Sequence, residues 1–317
     1  MMMFLVLKER LKSFYGRYAT LAGGMIRFVY SFTALWLMSV NLGFMGRLNS
    51  LPVMGLLAFI CGFLPFGAIG AVLAAVLLAH IYAVSMETAL IMAVFLVIVA
   101  LLYYGLRPGD SYWLVLVPVA FLLKVPFAVP ILAGLSAGLV SVVPVSCGVV
   151  VYYIILYVRQ NAGVLTNDAS VDITQKFVQI IQAILSNQTM TVMIAVCALG
   201  VLVVHLLRTL SIDYAWMAAI VSGTIVQLAA VFAGDYFFNV SMPAGELLLG
   251  AAAAVVLAGL YHFFVFAVDY SRTEYTQFED DDYVYYVKAV PKVAVSKPDV
   301  RVQRINNPAG GRRVRER

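Results

Sequence analysis

Few side chains in the apolar part of this 317-residue chain are able to do chemistry, and their positions set the first questions. They are His80, Lys124, His205, Gln227, Glu246 and His262, with Glu87 and Asp213 near the ends of apolar runs. A charge at the centre of a bilayer costs about 2.5–3.5 kcal/mol on insertion scales, so such groups usually face a bundle interior or a cavity. Lys124 stands in Leu122-Leu123-Lys124-Val125-Pro126, with Pro130 close behind. Prolines free helix carbonyls, and freed carbonyls at membrane depth are tolerated only beside protein or water. Residues 124–130 are therefore the first candidate for a substrate or ion pathway; the alternative is a lysine at a turn, snorkelling to the headgroups. His80, His205, Gln227, Pro126 and Pro130 complete the candidate set. A neutral histidine in such a span can also simply bond a backbone carbonyl, and Gln227 suits an interhelical hydrogen bond.

The chemistry these residues exclude is as informative. There is no H-E-x-x-H pair and no phosphate-binding glycine loop, so neither a metal nor a cofactor is expected, and no catalytic residue is assigned. Gly134-Leu135-Ser136-Ala137-Gly138 fits G-x-S-x-G, a pattern that marks a nucleophile when a strand enters the turn and a helix leaves it. Its flanks here are apolar helices, where small residues four apart more often permit close packing. The three cysteines, Cys61, Cys147 and Cys197, lie in apolar spans and read as small buried hydrophobes.

The elements that must position these residues are membrane helices. The chain is 63% hydrophobic and 12% charged, with a mean hydropathy of +0.95, whereas a soluble domain is about half apolar and a quarter charged. At about 20 residues per span the apolar stretches hold roughly eight helices. The fold class expected is all-α, a polytopic bundle over residues 28–268. Before it come residues 1–27, a basic interfacial or cytosolic segment with no signal-peptide pattern. After it comes a soluble tail, residues 269–317.

The spans expected are 28–46, 66–84, 87–104, two within 111–158, 189–207, 214–233 and 244–268. Residues 51–64 are short and end at Pro65, and read as re-entrant or interfacial. Ser85 is placed to cap the helix that follows, with Glu87 in its first turn. Residues 171–185 alternate apolar and polar positions near helical spacing, as a surface helix does.

An outline recurs about 125 residues apart. His80, Ser85-Met86-Glu87, Gly109-Asp110, Pro118 and Leu122-Leu123 are answered by His205, Ser211-Ile212-Asp213, Gly234-Asp235, Pro243 and Leu247-Leu248. This suggests a duplication, about 75–140 and 200–265. With eight spans both copies share one orientation, a parallel repeat: Ser85 and Ser211 turn inside, and the two Gly-Asp pairs turn outside. The formal net charge of +5 is concentrated toward the two ends. By the positive-inside rule both termini are expected in the cytoplasm of a prokaryotic cell, with the chain in the cell membrane.

In the tail, an acidic run at 279–282 precedes a β-rich segment, 283–295, and then a basic end. The β-rich part suits an edge strand added to a partner's sheet. The partners expected are the lipid bilayer and a cytosolic or membrane protein held through residues 271–317; nucleic acid is not expected. Together these features point to a permease-like transport component. The alternatives are a membrane scaffold that recruits through its tail and, third, an intramembrane serine hydrolase built on Ser136.

Overall fold

A computed structural model of the chain describes residues 2–106, 111–167, 173–238, 243–266, 274–279 and 283–289. The chain divides into two compact units, one of residues 18–266 and one drawn from residues 1–17 and 267–317. The smaller unit holds helix α1, Met2–Arg17, and an antiparallel hairpin of β1, Glu274–Glu279, and β2, Val284–Ala289. Thr276 faces Val287 and Phe278 faces Tyr285 in the hairpin's register. The strand expected in 283–295 is β2, and β1 is its partner. The acidic residues 280–282 and the basic end from Lys297 lie outside the described residues.

The larger unit is helical throughout. In chain order it contains α2 Ala19–Asn41, α3 Leu51–Phe63, α4 Phe66–Tyr82, α5 Met86–Leu106, α6 Ser111–Leu122 and α7 Ala128–Ser136. Then come α8 Val142–Asn167, α9 Ile173–Leu185, α10 Gln188–Arg208, α11 Ala215–Phe238 and α12 Ala244–Tyr261. A 3-10 turn, Leu139–Ser141, leads into α8, and a π-helical turn, His262–Phe266, closes α12. Helices α2, α5, α8, α10, α11 and α12 are long and apolar enough to cross a membrane. The chain is thus a multi-pass integral membrane protein, and the expected all-α bundle is the fold observed.

Side-chain contacts fix which helix ends share a face of the bundle. At the first end, Tyr30 Oη donates to the Tyr112 carbonyl, 2.8 Å away, and Phe66 packs on both Tyr30 and Tyr112. At the second end, Arg159 Nη1 donates to Asn41 Oδ1 at 2.7 Å, and the Met45 amide donates to His80 Nδ1 at 3.3 Å. Helix α2 therefore runs from the first end to the second, α3 returns, α4 goes out again and α5 comes back.

Helix α3, expected as an interfacial or re-entrant piece, has 13 residues and falls short of the span-length helices. It lies antiparallel along α2, with Asn49 bonded to Ser39 near one end and Gly62 against Gly24 near the other. Ser31, fully buried, also reaches the Ala58 carbonyl at 3.5 Å. Glycines where the two helices meet let the backbones approach, which a proline-stopped surface helix would not need. The first long helix also begins at Ala19 rather than near residue 28, since Arg27 lies over the Phe66 ring instead of in a headgroup lead-in.

The largest departure is in the stretch expected to hold two spans. Helices α6 and α7 have 12 and 9 residues, about 18 and 13 Å of rise, against a hydrocarbon core of about 30 Å. Helix α6 enters from the first end. It turns at residues 123–127, and α7 runs back to that end, where Arg208 meets its last carbonyls. The pair is a re-entrant hairpin of half-helices, and only α8 goes on to the second end. Helices α10, α11 and α12 then alternate, so residues 18 and 266 lie at the same end.

The return of α3 puts the Ser85 turn at the second end, opposite residues 18 and 266, while the Ser211 turn lies at the first end with them. The matching segments therefore run in opposite directions and not in the parallel sense expected. Gly234 and Asp235 are also no turn: both lie within α11, and Gly234 receives Val192 of α10. Gly109 and Asp110 lie outside the described residues. The order of a short helix followed by three more recurs in α3–α6 and α9–α12, but α6 packs on α4 and α8 while α12 packs on α11 and α7.

Glycines set the closest helix approaches, as expected where apolar lipid gives no hydrophobic drive to associate. Val204 of α10 fits between Gly134 of α7 and Gly223 of α11, and a Cβ on Gly134 would stand 2.7 Å from the Val204 Cβ. Gly134→Ala should therefore destabilise the detergent-solubilised protein by about 1–3 kcal/mol, the usual range for overpacking. Adding Val204→Ala should recover part of the lost thermal stability; no recovery would show that the contact does not set the packing.

Candidate functional site

The α6–α7 turn shows how the sequence makes a break at membrane depth. The Lys124 amide bonds the Phe121 carbonyl at 3.0 Å and the Val125 amide bonds Ala120 at 2.9 Å, the paired bonds of a Schellman helix end. Lys124 occupies the left-handed position with φ of 62°, where glycine is the usual residue because it lacks the Cβ that makes this region costly. Pro126 then stops the helix, and Pro130 sits in the first turn of α7, where its missing N–H costs no helical bond. Neither proline frees a carbonyl into a cavity: they end one helix and begin the next.

The tip rests on α12. The Lys124 carbonyl lies 2.9 Å from the position a Cβ would take on Gly250, six residues and so about 9 Å inside the start of that helix. The ammonium extends outward to Glu246 Oε1 at 2.8 Å, with the two side chains 69% and 52% exposed. Lys124 is thus no buried pathway charge. It joins the hairpin tip to the first turn of α12, and an exposed pair of this kind contributes little stability by itself, about 0–1 kcal/mol.

The base of the hairpin is held by a residue outside the sequence-derived candidate set. Arg208, at the end of α10, donates from Nη1 to the Leu135 carbonyl and from Nη2 to that of Ala137, the latter at 2.9 Å. The last carbonyls of any helix lack intrahelical donors, and here one planar guanidinium serves two of them. Its Cζ also lies 5.8 Å from the centre of the Trp216 ring, which stacks on His262 at 5.5 Å. His205, one turn earlier on α10, stands beside the Ala137 carbonyl. Arg208, His205, Trp216 and His262 therefore gather at the first end around the end of α7.

The other candidates lie apart from this cluster. His80 is buried at the second end and accepts the Met45 amide, which fixes the loop after α2; it bonds an N–H, not the carbonyl expected. The two histidines of the suspected repeat are thus at opposite ends. Gln227 is fully buried in α11, but its amide nitrogen bonds Gly223 of its own helix at 3.2 Å rather than a neighbour. Its Oε1 has no hydrogen-bond partner, and its Cδ would lie 2.6 Å from a Cβ on Gly200 of α10. It acts as a shaped knob on a glycine. Ser136 is helical, with its hydroxyl donating to the Leu132 carbonyl at 2.7 Å, and Gly134 of the same motif serves packing.

At the helix starts the local rules hold. The Thr88 amide donates to Ser85 Oγ at 3.3 Å and that hydroxyl donates to Glu87 Oε2 at 2.6 Å, while Asn187 caps α10 through the Met190 amide. Beyond this geometry, comparison with protein-family models, with curated proteins and with solved structures finds no match to the chain.

Three substitutions at two positions separate the roles of the hairpin's holders. Lys124→Gly should be about 1 kcal/mol more stable than Lys124→Ala, because both lose the ion pair and only glycine relieves the left-handed backbone. Arg208→Ala should cost more than either, about 1–3 kcal/mol for each carbonyl left buried without a donor. Thermal unfolding in one detergent ranks all three variants.

Proposed function

We propose that the protein is a permease-like transport component in which the α6–α7 hairpin moves against α10 and α12. The observation that carries this reading is the hairpin itself. Two half-helices meet at membrane depth, and side chains from the other half of the bundle hold both the tip and the base. Discontinuous helices of this kind form the substrate and ion sites of many transporters, and irregular backbone is tolerated at such depth only where protein or a cavity receives it. A rigid anchor has no use for a break that costs an unfavourable backbone angle at Lys124. The opposed directions of α4–α5 and α10–α11 add support, since inverted halves are a common transporter plan.

In this reading the first end of the bundle faces the cytoplasm of a cell membrane. It bears Arg27 and Arg208 and is where the basic N-terminal and C-terminal segments join the bundle, as the positive-inside rule prefers. His205, Arg208 and the end of α7 form the inner side of the pathway, and Lys124, Pro126 and Pro130 its outer turn. His80 and Gln227 act as supports. Moving the hairpin requires exchange of the Lys124–Glu246 pair, which is exposed and therefore inexpensive to open.

The test is a reversible lock. Lys124→Cys with Glu246→Cys, in protein reconstituted in liposomes, should lose flux when joined by a short bis-maleimide carrying a cleavable spacer and regain it on cleavage. Flux that is indifferent to the lock opposes the hairpin as the moving part. No flux for any member of a panel of ions, amino acids and lipids opposes transport altogether.

A second reading is favoured by the β-hairpin. An isolated two-stranded hairpin is marginal in water, and Tyr286 on β2 is 78% exposed, so addition of a partner's strand would complete the sheet. In a scaffold, removal of residues 271–317 releases the partner that co-purifies with the full chain; in a transporter the flux survives that removal.

A further inference from the structure

Helices α5 and α6 are consecutive, yet α6 packs on α8 and α4 instead of on α5. Its lean toward α8 has a local cause. Pro118 lies inside α6 and removes the hydrogen bond that the Leu114 carbonyl would accept. Gly148 of α8 comes close to that carbonyl and to Val117, with a Cβ there only 3.0 Å from the oxygen. Between α5 and α6, floored by α2, α4 and α8, this leaves a cavity of about 130 Å³. Helix α4 lines it with Gly67, Gly70, Ala71 and Ala74 beside Leu73 and Leu77, and a Cβ added to Gly70 would meet nothing within 4 Å.

The lining is hydrocarbon, apart from Tyr103, whose ring is buried in its wall and which already has an interaction partner. A buried water needs two to four polar partners, and an apolar cavity of roughly 150 Å³ stays dry and takes apolar guests instead. A void without atoms on one side also forfeits the dispersion contacts of its lining. The outer face of α5 exposes Val94, Val97, Ile98 and Leu101, so in a bilayer the material adjoining this crevice is lipid chain. We propose that the cavity between α5 and α6 binds the hydrocarbon chain, acyl or isoprenyl, of a membrane lipid. The proposal does not depend on the transport reading. The chain fills the space between α5 and α6, which Gly67, Gly70, Ala71 and Ala74 of α4 leave clear.

The test uses the full-length protein in nanodiscs with two photoreactive probes in separate arms, a phospholipid with a diazirine near the end of one acyl chain and a diazirine-bearing polyprenyl phosphate. Label should map to cavity residues such as Ala74, Ala100 or Leu122 with at least one probe, and the productive arm identifies the chain type. Gly70→Leu should abolish that label while leaving label on lipid-facing Leu101, and the melting temperature should not fall, since the new side chain enters open space. Ala100→Leu serves as a second filling variant if the first expresses poorly. Cavity label that persists in a folded filled variant overturns the proposal. So does wild-type label confined to lipid-facing positions in both arms.

Discussion

Every peptide group freed at the ends of α6 and α7 must find a partner without water, and this constraint organises the centre of the molecule. The chain meets it in two ways. Paired amide bonds close the end of α6 at Lys124 and Val125, and Arg208 serves the last carbonyls of α7. Each end meets a different neighbour, α12 at the tip and α10 at the base, while Gly148 lets α8 approach the shaft. The position of the half-helices and the packing of the second half of the bundle are therefore one problem with one answer.

Close packing follows the same logic. In lipid, helices gain little from hiding apolar surface, so contact must come from shape. Val204 fits between two glycines, Val192 and Gln227 each occupy one, and the Lys124 carbonyl uses Gly250. By contrast the space between α6 and α5 is bordered by Gly67, Gly70, Ala71 and Ala74 of α4 without a matching knob, and the cavity lies there. A tight face against α8 and an open face toward α5 suit an element that is held on one side and has room on the other.

Much of this was legible in the sequence, and the misreadings have physical causes. Composition and apolar run length are properties of the chain alone, so the membrane bundle, the cap at Ser85 and the strand at Val284–Ala289 could be read directly. Residues 111–158 could not, because run length does not reveal whether two short helices cross a membrane or turn back. That depends on Arg208, some 70 residues away, and on a left-handed lysine where glycine is expected. Two counts changed: α3 returns along α2, which reverses α4 and α5, and α6–α7 turns back, which restores the expected direction from α8 onward, so Ser85 and Ser211 lie at opposite ends. Lys124 is visible in the sequence as a charge among apolar residues, but nothing in the sequence pairs it with Glu246, 122 residues away. Gln227 and the Gly134–Gly138 motif were visible as unusual, but only the facing helices show that they serve packing.

The re-entrant course of α6–α7 is the claim on which the rest stands, and side-selective thiol labelling tests it directly. With Cys61, Cys147 and Cys197 replaced by alanine, single cysteines at Tyr112 and Leu139 are probed in sealed right-side-out and inverted vesicles, with Ser85 and Ser211 as references. The account predicts that Tyr112→Cys and Leu139→Cys react from the same side as Ser211→Cys, and that Ser85→Cys reacts from the other. Labelling of residues 112 and 139 from opposite sides would show that the stretch crosses the membrane and would contradict the account.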